Sequence, residues 1–222
     1  MPVIQRLFLA TTTMLLAALV SFLALATEPA RAQNIVDQWA SVKAPPPPEL
    51  KAVTVDPKTT ALLVLDLFKQ PCNVERNPRC VQSLAAVKKL IDEARGAGML
   101  VVYTAYPTAS GKPTAKDILP EVAPREGEAF FVGFLNKYIG TDLEKTLKDK
   151  GIQTVIVVGT FAHGAVLATA GASAELGFKV IVPVDGMSSP TLYAEQYTVW
   201  HLANVPIVSS RTTLTKIDMM KF

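Results

Sequence analysis

A carboxyl group and an imidazole lie where apolar, strand-like runs of the sequence end. Asp66 closes the run TTALLVLDL at 59–67, and His163 comes shortly after the run IQTVIVV at 152–158. Ligands of open parallel sheets bind beyond the carboxyl ends of the strands, so both positions are candidates for a site. Burial at a strand end would raise the pKa of Asp66, and a protonated carboxyl can act as a general acid. The alternative for Asp66 is a structural acid that caps a loop.

The segment GTFAHGAVLATA, at 159–170, joins a predicted strand to the start of a helix. Backbone N–H groups at a helix N-terminus can bind an anion or a developing oxyanion, and a glycine lets a ligand approach the backbone closely. We therefore predict a substrate-binding elbow here. Its residues are Phe161, Ala162, His163, Gly164 and Ala165. Taken alone, His163 is interpreted as a hydrogen-bonding loop residue, and Tyr106, after a second strand, is a further candidate for substrate contact.

The two cysteines, Cys72 and Cys80, lie eight residues apart in the loop-like stretch PCNVERNPRC. In an oxidising compartment this arrangement favours a disulfide that closes the loop. A catalytic thiol at Cys72 is the alternative, and it would conflict with pairing. We predict no metal and no cofactor, because the chain has two histidines, no D-x-H or H-x-x-x-H spacing and no glycine-rich phosphate loop. A serine elbow of the form G-x-S-x-G is missing too.

Apolar runs alternate with helical patterns along the chain, and this alternation predicts the fold. Strands are predicted at 59–67, 99–104, 152–158 and 178–184, with a last strand at 205–209. Helices are predicted at 80–98, 141–150, 162–176 and 189–203, and residues 107–128 read as an irregular excursion. Asp185, after the fourth strand, is interpreted as a structural residue that hydrogen-bonds its turn. The expected fold is three-layer α/β/α with a mostly parallel central sheet.

Composition narrows the classes of partner. The 222 residues suffice for one well-buried domain, and with 50% hydrophobic and 18% charged residues a packed core is expected. The net charge is only +3, and no cluster of Lys and Arg is visible. Nucleic acid is therefore excluded as the expected partner, and a small-molecule ligand is favoured.

The N-terminal segment, 1–32, has the three parts of a secretory signal peptide. A basic residue precedes the apolar run at 7–26, and small residues of the A-x-A type end at Ala32. We predict cleavage after Ala32 and a periplasmic or secreted protein. The run is long enough to span a bilayer, so an uncleaved membrane anchor is the alternative. Residues 33–58, with a run of four prolines, are predicted to form a stiff lead, and 59–222 the domain.

Five motifs, in this order and spacing, resemble the isochorismatase-like superfamily, which includes nicotinamidases and other amide-cleaving cysteine hydrolases. They are ALLVLD ending at Asp66, GMLVVYTAY at 98–106, GTDLEKTLKDKGIQTVIVVGT at 140–160, FAHGAVLATA at 161–170 and GFKVIVPVDGMSS at 177–189. The resemblance implies a triad of Asp, Lys and Cys. Asp66 matches the first, but Ala165 stands at the Cys position and the Lys position falls at about Val132. Without a thiol, amide cleavage through a thioester is not expected.

One branch of this superfamily works without the cysteine. Isochorismatases and a related phenazine-pathway enzyme hydrolyse a vinyl ether, and the stretch Phe161 to Ala165 looks like theirs. The resemblance implies that Asp66 protonates the vinyl carbon while water attacks, and that a cis peptide bond lies just before Ala162. Those enzymes keep the Lys. Here Lys137 could reach the site from a shifted position, and the alternative is a surface lysine beside Tyr138.

Three functions stay open on these residues. The first is a hydrolase without a cysteine nucleophile, with Asp66 as general acid and the elbow as substrate site. The second is a binding protein, or pseudoenzyme, that kept the pocket and lost the chemistry, and the third is a relocated nucleophile at Cys72. Members of the superfamily commonly associate, so a homo-oligomer is also expected. Its contacts could come from a predicted helix that carries Tyr193, Tyr197 and Trp200.

Overall fold

The computed structural model describes residues 34–222, and contacts divide the chain into two compact units. The described part of the first unit contains helix α1, Ile35–Gln38, and a 3-10 turn, Trp39–Ser41. The side chain of Asn34 caps α1 by accepting hydrogen bonds from two backbone N–H groups. The second unit begins at Pro46 and contains the other described elements. The predicted signal peptide lies outside the described residues.

The second unit alternates strands with helices, as the sequence predicts. Its strands are β1 (Val53–Thr54), β2 (Thr60–Leu65), β3 (Leu100–Ala105), β4 (Ala129–Val132), β5 (Thr154–Thr160), β6 (Lys179–Pro183), β7 (Met187–Ser188), β8 (Thr212–Thr215) and β9 (Met220–Lys221). Its helices are α2 (Pro78–Gly96), α3 (Leu143–Asp149), α4 (Leu167–Glu175, after a π-helical turn at Ala162–Val166), α5 (Leu192–Asn204) and α6 (Val208–Arg211). Among residues 34–222, no helix combines the length and apolar character needed to cross a membrane.

A parallel sheet organises the second unit. Its strands lie in the order β4-β3-β2-β5-β6-β8, and β7 pairs with β5. All of these pairings are parallel, and the register sets Leu65 of β2 beside Thr104 of β3 and Gly159 of β5. The carboxyl ends of β2, β3 and β5 therefore meet at one edge of the sheet, which is where parallel sheets bind ligands.

Both faces of the sheet are covered, because successive side chains of a strand point to opposite faces. Leu62 and Val64 of β2 belong to a core cluster with the buried face of α2. Leu63 and Leu65 belong to a second cluster, which includes residues of α3, α4 and α5. Each residue of β2 is buried, as the uninterrupted apolar run requires. The predicted three-layer α/β/α fold is confirmed.

The predicted strand at 205–209 is wrong. The chain there ends α5, turns and forms the short helix α6, and the strand β8 comes only afterwards. Ile207 has a φ of 69°, a left-handed conformation that an extended strand cannot contain. Pro206, which has no N–H to donate to a ladder, further disfavours a strand at this point.

Two further elements were not predicted. β4 is an edge strand of four partly buried residues, and it follows the irregular excursion directly. β1 lies within the predicted lead, pairs with β9 and is followed by the buried Val55. The folded unit therefore begins before residue 59.

Three aromatic side chains of α5 are exposed, namely Tyr193, Tyr197 and Trp200. The expected association of two copies through this helix stays a prediction.

Candidate active site

Asp66 and Lys137 form a buried ion pair at the carboxyl edge of the sheet. Asp66 directly follows β2, and its Oδ2 lies 2.8 Å from Lys137 Nζ. Its Oδ1 accepts a hydrogen bond of 3.0 Å from Thr104 Oγ1, at the end of β3. Asp66 has a φ of 58°, a conformation that few residues other than glycine adopt. Such strained positions concentrate at functional sites, which supports the prediction that Asp66 belongs to one.

Lys137 reaches this site from the loop between β4 and α3. The interpretation as a surface lysine is wrong, because its side chain is 0% exposed and its Nζ donates a hydrogen bond of 3.2 Å to Gly133 O. The motif comparison placed the family's lysine at about Val132 and found none there, but the structure brings Lys137 to Asp66. This lysine is displaced along the loop, and the loop is held because Lys137 N–H donates to Thr169 Oγ1 of α4. The sequence spacing alone did not reveal this loop conformation.

Burial and charge act in opposite directions on the pair. Burial raises the pKa of Asp66 from 3.8 to about 6, while the Lys137 ammonium and the Thr104 hydroxyl oppose that rise. Burial lowers the pKa of Lys137, and the Asp66 carboxylate opposes that fall. A carboxyl with a pKa of about 6 can hold or release a proton near neutral pH, which is what a general acid requires.

The elbow lies beside Asp66, because β5 is the direct neighbour of β2. It starts with a cis peptide bond between Thr160 and Phe161, one residue earlier than the bond before Ala162 that the resemblance implied. Ala162 and Ala165 are buried, and Ala165 presents no polar atom beyond its backbone. The N–H of Gly164 donates to Phe161 O at 2.9 Å. This N–H group is therefore already bonded within the elbow, and the predicted contact of the elbow with a substrate stays a prediction.

His163 is exposed and is not joined to Asp66 by any hydrogen bond within residues 34–222. Its Nδ1 lies 2.9 Å from Ser189 Oγ, and the Ser189 N–H donates to Glu195 Oε1 at 2.9 Å. Glu195 also forms a two-pronged ion pair with Arg79. The interpretation of His163 as a hydrogen-bonding loop residue agrees with these contacts.

The loop after β2 is closed by a disulfide between Cys72 and Cys80, as predicted. Neither sulfur is a thiol, so the hypothesis of a nucleophile at Cys72 is wrong. The chain has no other cysteine.

Asp185 is a structural residue, but it does not hydrogen-bond its own turn as interpreted from the sequence. It accepts a hydrogen bond from Ile217 N–H at 3.0 Å and so holds a later segment of the chain.

Tyr106 lies near the lysine of the pair, and an arginine that the sequence reasoning missed lies near Phe161 of the elbow. Tyr106 packs edge-to-face on Phe68, and Lys137 Nζ lies 5.9 Å from its ring centre. The Arg76 guanidinium lies 5.6 Å from the ring centre of Phe161. The only sequence signal for Arg76 was a cation within the predicted disulfide loop. The structure thus brings Tyr106 near Lys137, and Arg76 near Phe161.

A cavity of about 970 Å³ lies between the disulfide loop and the excursion after β3. Phe68 and Arg76 line it on one side, and residues 110–113 line it on the other. Within residues 34–222, no group of three or more His, Cys, Asp or Glu side chains is arranged to hold a metal ion. Arg76 and Phe68 therefore border this cavity, whereas Asp66, Lys137, Tyr106 and Phe161 are not among its lining residues.

The profile of the isochorismatase domain matches residues 60–213, which include Asp66, Lys137 and the elbow. This chain belongs to the isochorismatase family. The family protein YwoC of Bacillus subtilis (strain 168) is 27% identical over 193 residues, which are 78% of this chain and 100% of YwoC. The secreted isochorismatase effector Isc1 of Verticillium dahliae is 29% identical over 108 residues, which are 46% of this chain and 57% of Isc1.

Solved structures of the family have the same fold. An isochorismatase-like hydrolase from Alkaliphilus metalliredigens is 25% identical and superposes with a TM-score of 0.63, over 72% of this chain and 95% of that one. An isochorismatase from Pseudomonas putida KT2440 is 18% identical, with a TM-score of 0.65 over 76% of this chain and 93% of that one. The chain thus shares the family and the fold of isochorismatase-like hydrolases.

Proposed function

We propose that this protein is an exported hydrolase that works without a cysteine nucleophile and uses Asp66 as a general acid on a small vinyl ether or a related substrate. The observation that carries the proposal is the buried Asp66–Lys137 pair at the carboxyl edge of the sheet. Ala165 supplies no nucleophile at the position of the family's cysteine, and both cysteines of the chain are in the disulfide. Chemistry at this site must therefore begin with a proton rather than with a thiolate.

Vinyl ether hydrolysis fits a site of this kind. The protonated Asp66 carboxyl gives its proton to the terminal vinyl carbon, and the electron pair of the double bond forms the new C–H bond. Water then adds to the cationic ether carbon and loses a proton to the Asp66 carboxylate. The resulting hemiketal breaks its C–O bond and releases a ketone and an alcohol. With a pKa of about 6, roughly a tenth of the Asp66 carboxyls are protonated at pH 7.

Lys137 has a positioning role in this proposal. Its ammonium holds the carboxyl in one orientation through a 2.8 Å contact, and it keeps the pKa of Asp66 from rising further. Thr104 fixes the second carboxyl oxygen. Tyr106 and Phe161 supply apolar surface to the substrate beside the pair.

The decisive experiment compares Asp66→Asn with Asp218→Asn, an exposed control whose carboxylate pairs with Lys216 at the surface. Both variants are assayed on a panel of small vinyl ethers and esters, including 2-methoxyacrylate, whose hydrolysis releases pyruvate and methanol. We expect Asp66→Asn to lower kcat/KM by about 10²–10⁴-fold and Asp218→Asn to leave it unchanged. Thermal unfolding of both variants checks that they fold. Full activity of a folded Asp66→Asn variant would overturn the proposal.

A binding protein without catalysis is the second candidate, and the alanine at position 165 favours it. It predicts that members of the panel bind to the protein while none is converted. Binding without turnover of any panel member, measured on the same preparation, would favour this function over the hydrolase.

Export is part of the proposal, with a periplasmic or secreted location after cleavage behind Ala32. The disulfide supports it, because such bonds persist in oxidising compartments. The relative Isc1 is a secreted protein, and the N-terminal pattern is typical of a signal peptide. Mass spectrometry of the protein recovered from a host with a secretion pathway tests it, since the mature chain should begin at Gln33. A chain that keeps its first residues would refute the cleavage.

A further inference from the structure

Buried hydrogen bonds join the disulfide loop to the end of β5. Asn77 Nδ2 donates to Thr160 Oγ1 at 2.9 Å, and Thr160 Oγ1 in turn donates to Ser188 O of β7 at 3.1 Å. Asn77 and Thr160 are 0% exposed, and Ser188 is 1% exposed. In such a place the loss of one partner leaves the other unsatisfied, because water does not replace it. The contact between the loop and β5 should therefore count for more than a hydrogen bond at the surface.

The same contact lies at the start of the elbow. Thr160 directly precedes Phe161, the first residue of the elbow. Ser189, which follows Ser188 in the chain, has its Oγ 2.9 Å from Nδ1 of His163. The hydrogen bonds that begin at the loop therefore reach the elbow at its first residue and again at His163.

The disulfide determines where Asn77 lies. Asn77 is the N-cap of α2, and its Oδ1 accepts a hydrogen bond of 3.3 Å from the N–H of Cys80 in the first turn of that helix. The disulfide joins Cys80 to Cys72, whose own N–H donates to Phe68 O at 3.1 Å. The first turn of α2 is thus tied covalently to the segment that follows β2. Without the disulfide, only hydrogen bonds and packing would hold Asn77 against β5.

We propose that Asn77 is a positioning residue of the elbow, and that the disulfide loop acts through it as a clamp that orders the elbow only in the oxidised chain. Closing the loop converts two thiols into one S–S bond. The two electrons and two protons pass to a protein disulfide of the oxidising compartment, which becomes a dithiol. Before this step the chain has the residues of the elbow without the clamp, so its elbow opens more readily. The inference goes beyond the proposed function, because it concerns the order of the elbow and not the reaction at Asp66.

Hydrogen exchange of the elbow tests the clamp. The N–H groups of Gly164 and Val166 both donate to Phe161 O, at 2.9 and 3.3 Å. Their exchange, measured by mass spectrometry on the full chain, therefore reports how often the elbow opens. No substrate is present, so the result does not depend on whether the proposed function is right.

Two replacements break the contact from opposite sides. Asn77→Ser keeps a good N-cap for α2, but the shorter serine does not reach Thr160. Thr160→Val removes the hydroxyl, whereas Thr160→Ser keeps it. The control Asn204→Ser makes the same change as the first variant at an exposed position of α5. The chain without the disulfide is the double variant Cys72→Ser/Cys80→Ser.

We expect the elbow to exchange about tenfold faster in Asn77→Ser and in Thr160→Val than in the parent, as the loss of one buried hydrogen bond implies. Thr160→Ser and Asn204→Ser should exchange at the parent rate. The chain without the disulfide should also exchange faster. Adding Asn77→Ser to it should raise the rate by less than about twofold, because both changes release the same contact.

A parent rate in Asn77→Ser, in Thr160→Val or in the chain without the disulfide overturns the inference. So does a full tenfold increase when Asn77→Ser is added to that chain, because the disulfide would then act by another route. Exchange of β6 as fast as that of the elbow in Asn77→Ser also overturns it, since Asn77 would then support the whole unit. If Asn77→Ser does not fold, Thr160→Val takes its place in each comparison.

Discussion

Replacing Lys137 with Met removes a buried cation while keeping a side chain of similar length. In the parent protein this cation lies 2.8 Å from Asp66, in surroundings where neither side chain is more than 3% exposed. Met fills the same space, so the loss of packing should be small. The main effect should be that Asp66 is left in a buried site without its counter-charge.

The size of the effect follows from the pKa of Asp66. In the parent, folding raises this pKa from 3.8 to about 6, so the stability contributed by the group is fully present below about pH 4 and is lost as the pH rises to about 6. At 1.36 kcal/mol per pH unit, that loss is about 3 kcal/mol. Without the opposite charge we expect the pKa to rise by about one to three further pH units. The free energy of unfolding of the variant should then keep falling by about 1.4 kcal/mol per pH unit above pH 6.

Urea unfolding at several pH values between 5 and 8 measures this difference directly. We expect the deficit of Lys137→Met relative to the parent to stay nearly constant from pH 5 to about 6 and to widen above that pH. The control Lys116→Met, at an exposed position, should show no such trend. In a background that already carries Asp66→Asn, the widening should disappear, because the titrating carboxyl is gone. A deficit of the same size at every pH, or one that widens equally in the Asp66→Asn background, would refute this account of the pair.

Three further predictions concern the site, the loop and the sheet. If Asp66 acts as the acid, kcat/KM on 2-methoxyacrylate should fall tenfold per pH unit above about pH 6, and a profile flat from pH 5 to 8 would argue against it. Replacing Cys72 and Cys80 together by Ser should lower the free energy of unfolding by about 2–3 kcal/mol in urea titrations, and an unchanged value would contradict the loop-closure argument. Gly159→Ala should abolish soluble expression or cost more than about 3 kcal/mol, because the added Cβ would lie 2.0 Å from a backbone oxygen of β2. The control Gly171→Ala, in a helix with open space around it, should instead stabilise by about 0.5–1 kcal/mol.

Much of the fold could be predicted because its strands are buried on both faces. A strand covered by helices on two sides must be apolar throughout, so the runs that became β2, β3, β5 and β6 were visible without any partner. The edge strand β4 could not be predicted in this way, since its four residues are only partly buried. The segment at 205–209 was apolar enough for a strand, but the left-handed conformation at Ile207 broke it.

The position of Asp66 could be predicted for the same reason, since a carboxyl that ends a buried run must lie at the carboxyl edge. The partner of Asp66 could not. Lys137 lies in a loop whose path depends on contacts with Thr169 of α4, and no local pattern encodes such a path. The motif comparison placed the lysine at about Val132 instead, because spacing along the chain does not show where a loop folds back.

The sequence by itself determined that this chain alternates buried strands with helices, that residue 165 of the elbow is an alanine, and that its two cysteines could close one loop. These are properties of residue type and of short spacing, and they do not depend on how distant segments meet. Only the tertiary structure decided that Lys137 lies against Asp66 and that the disulfide loop presents Arg76 to the elbow. Such contacts join segments far apart in the chain, so the packing of the sheet and its loops, rather than any local preference, sets their geometry.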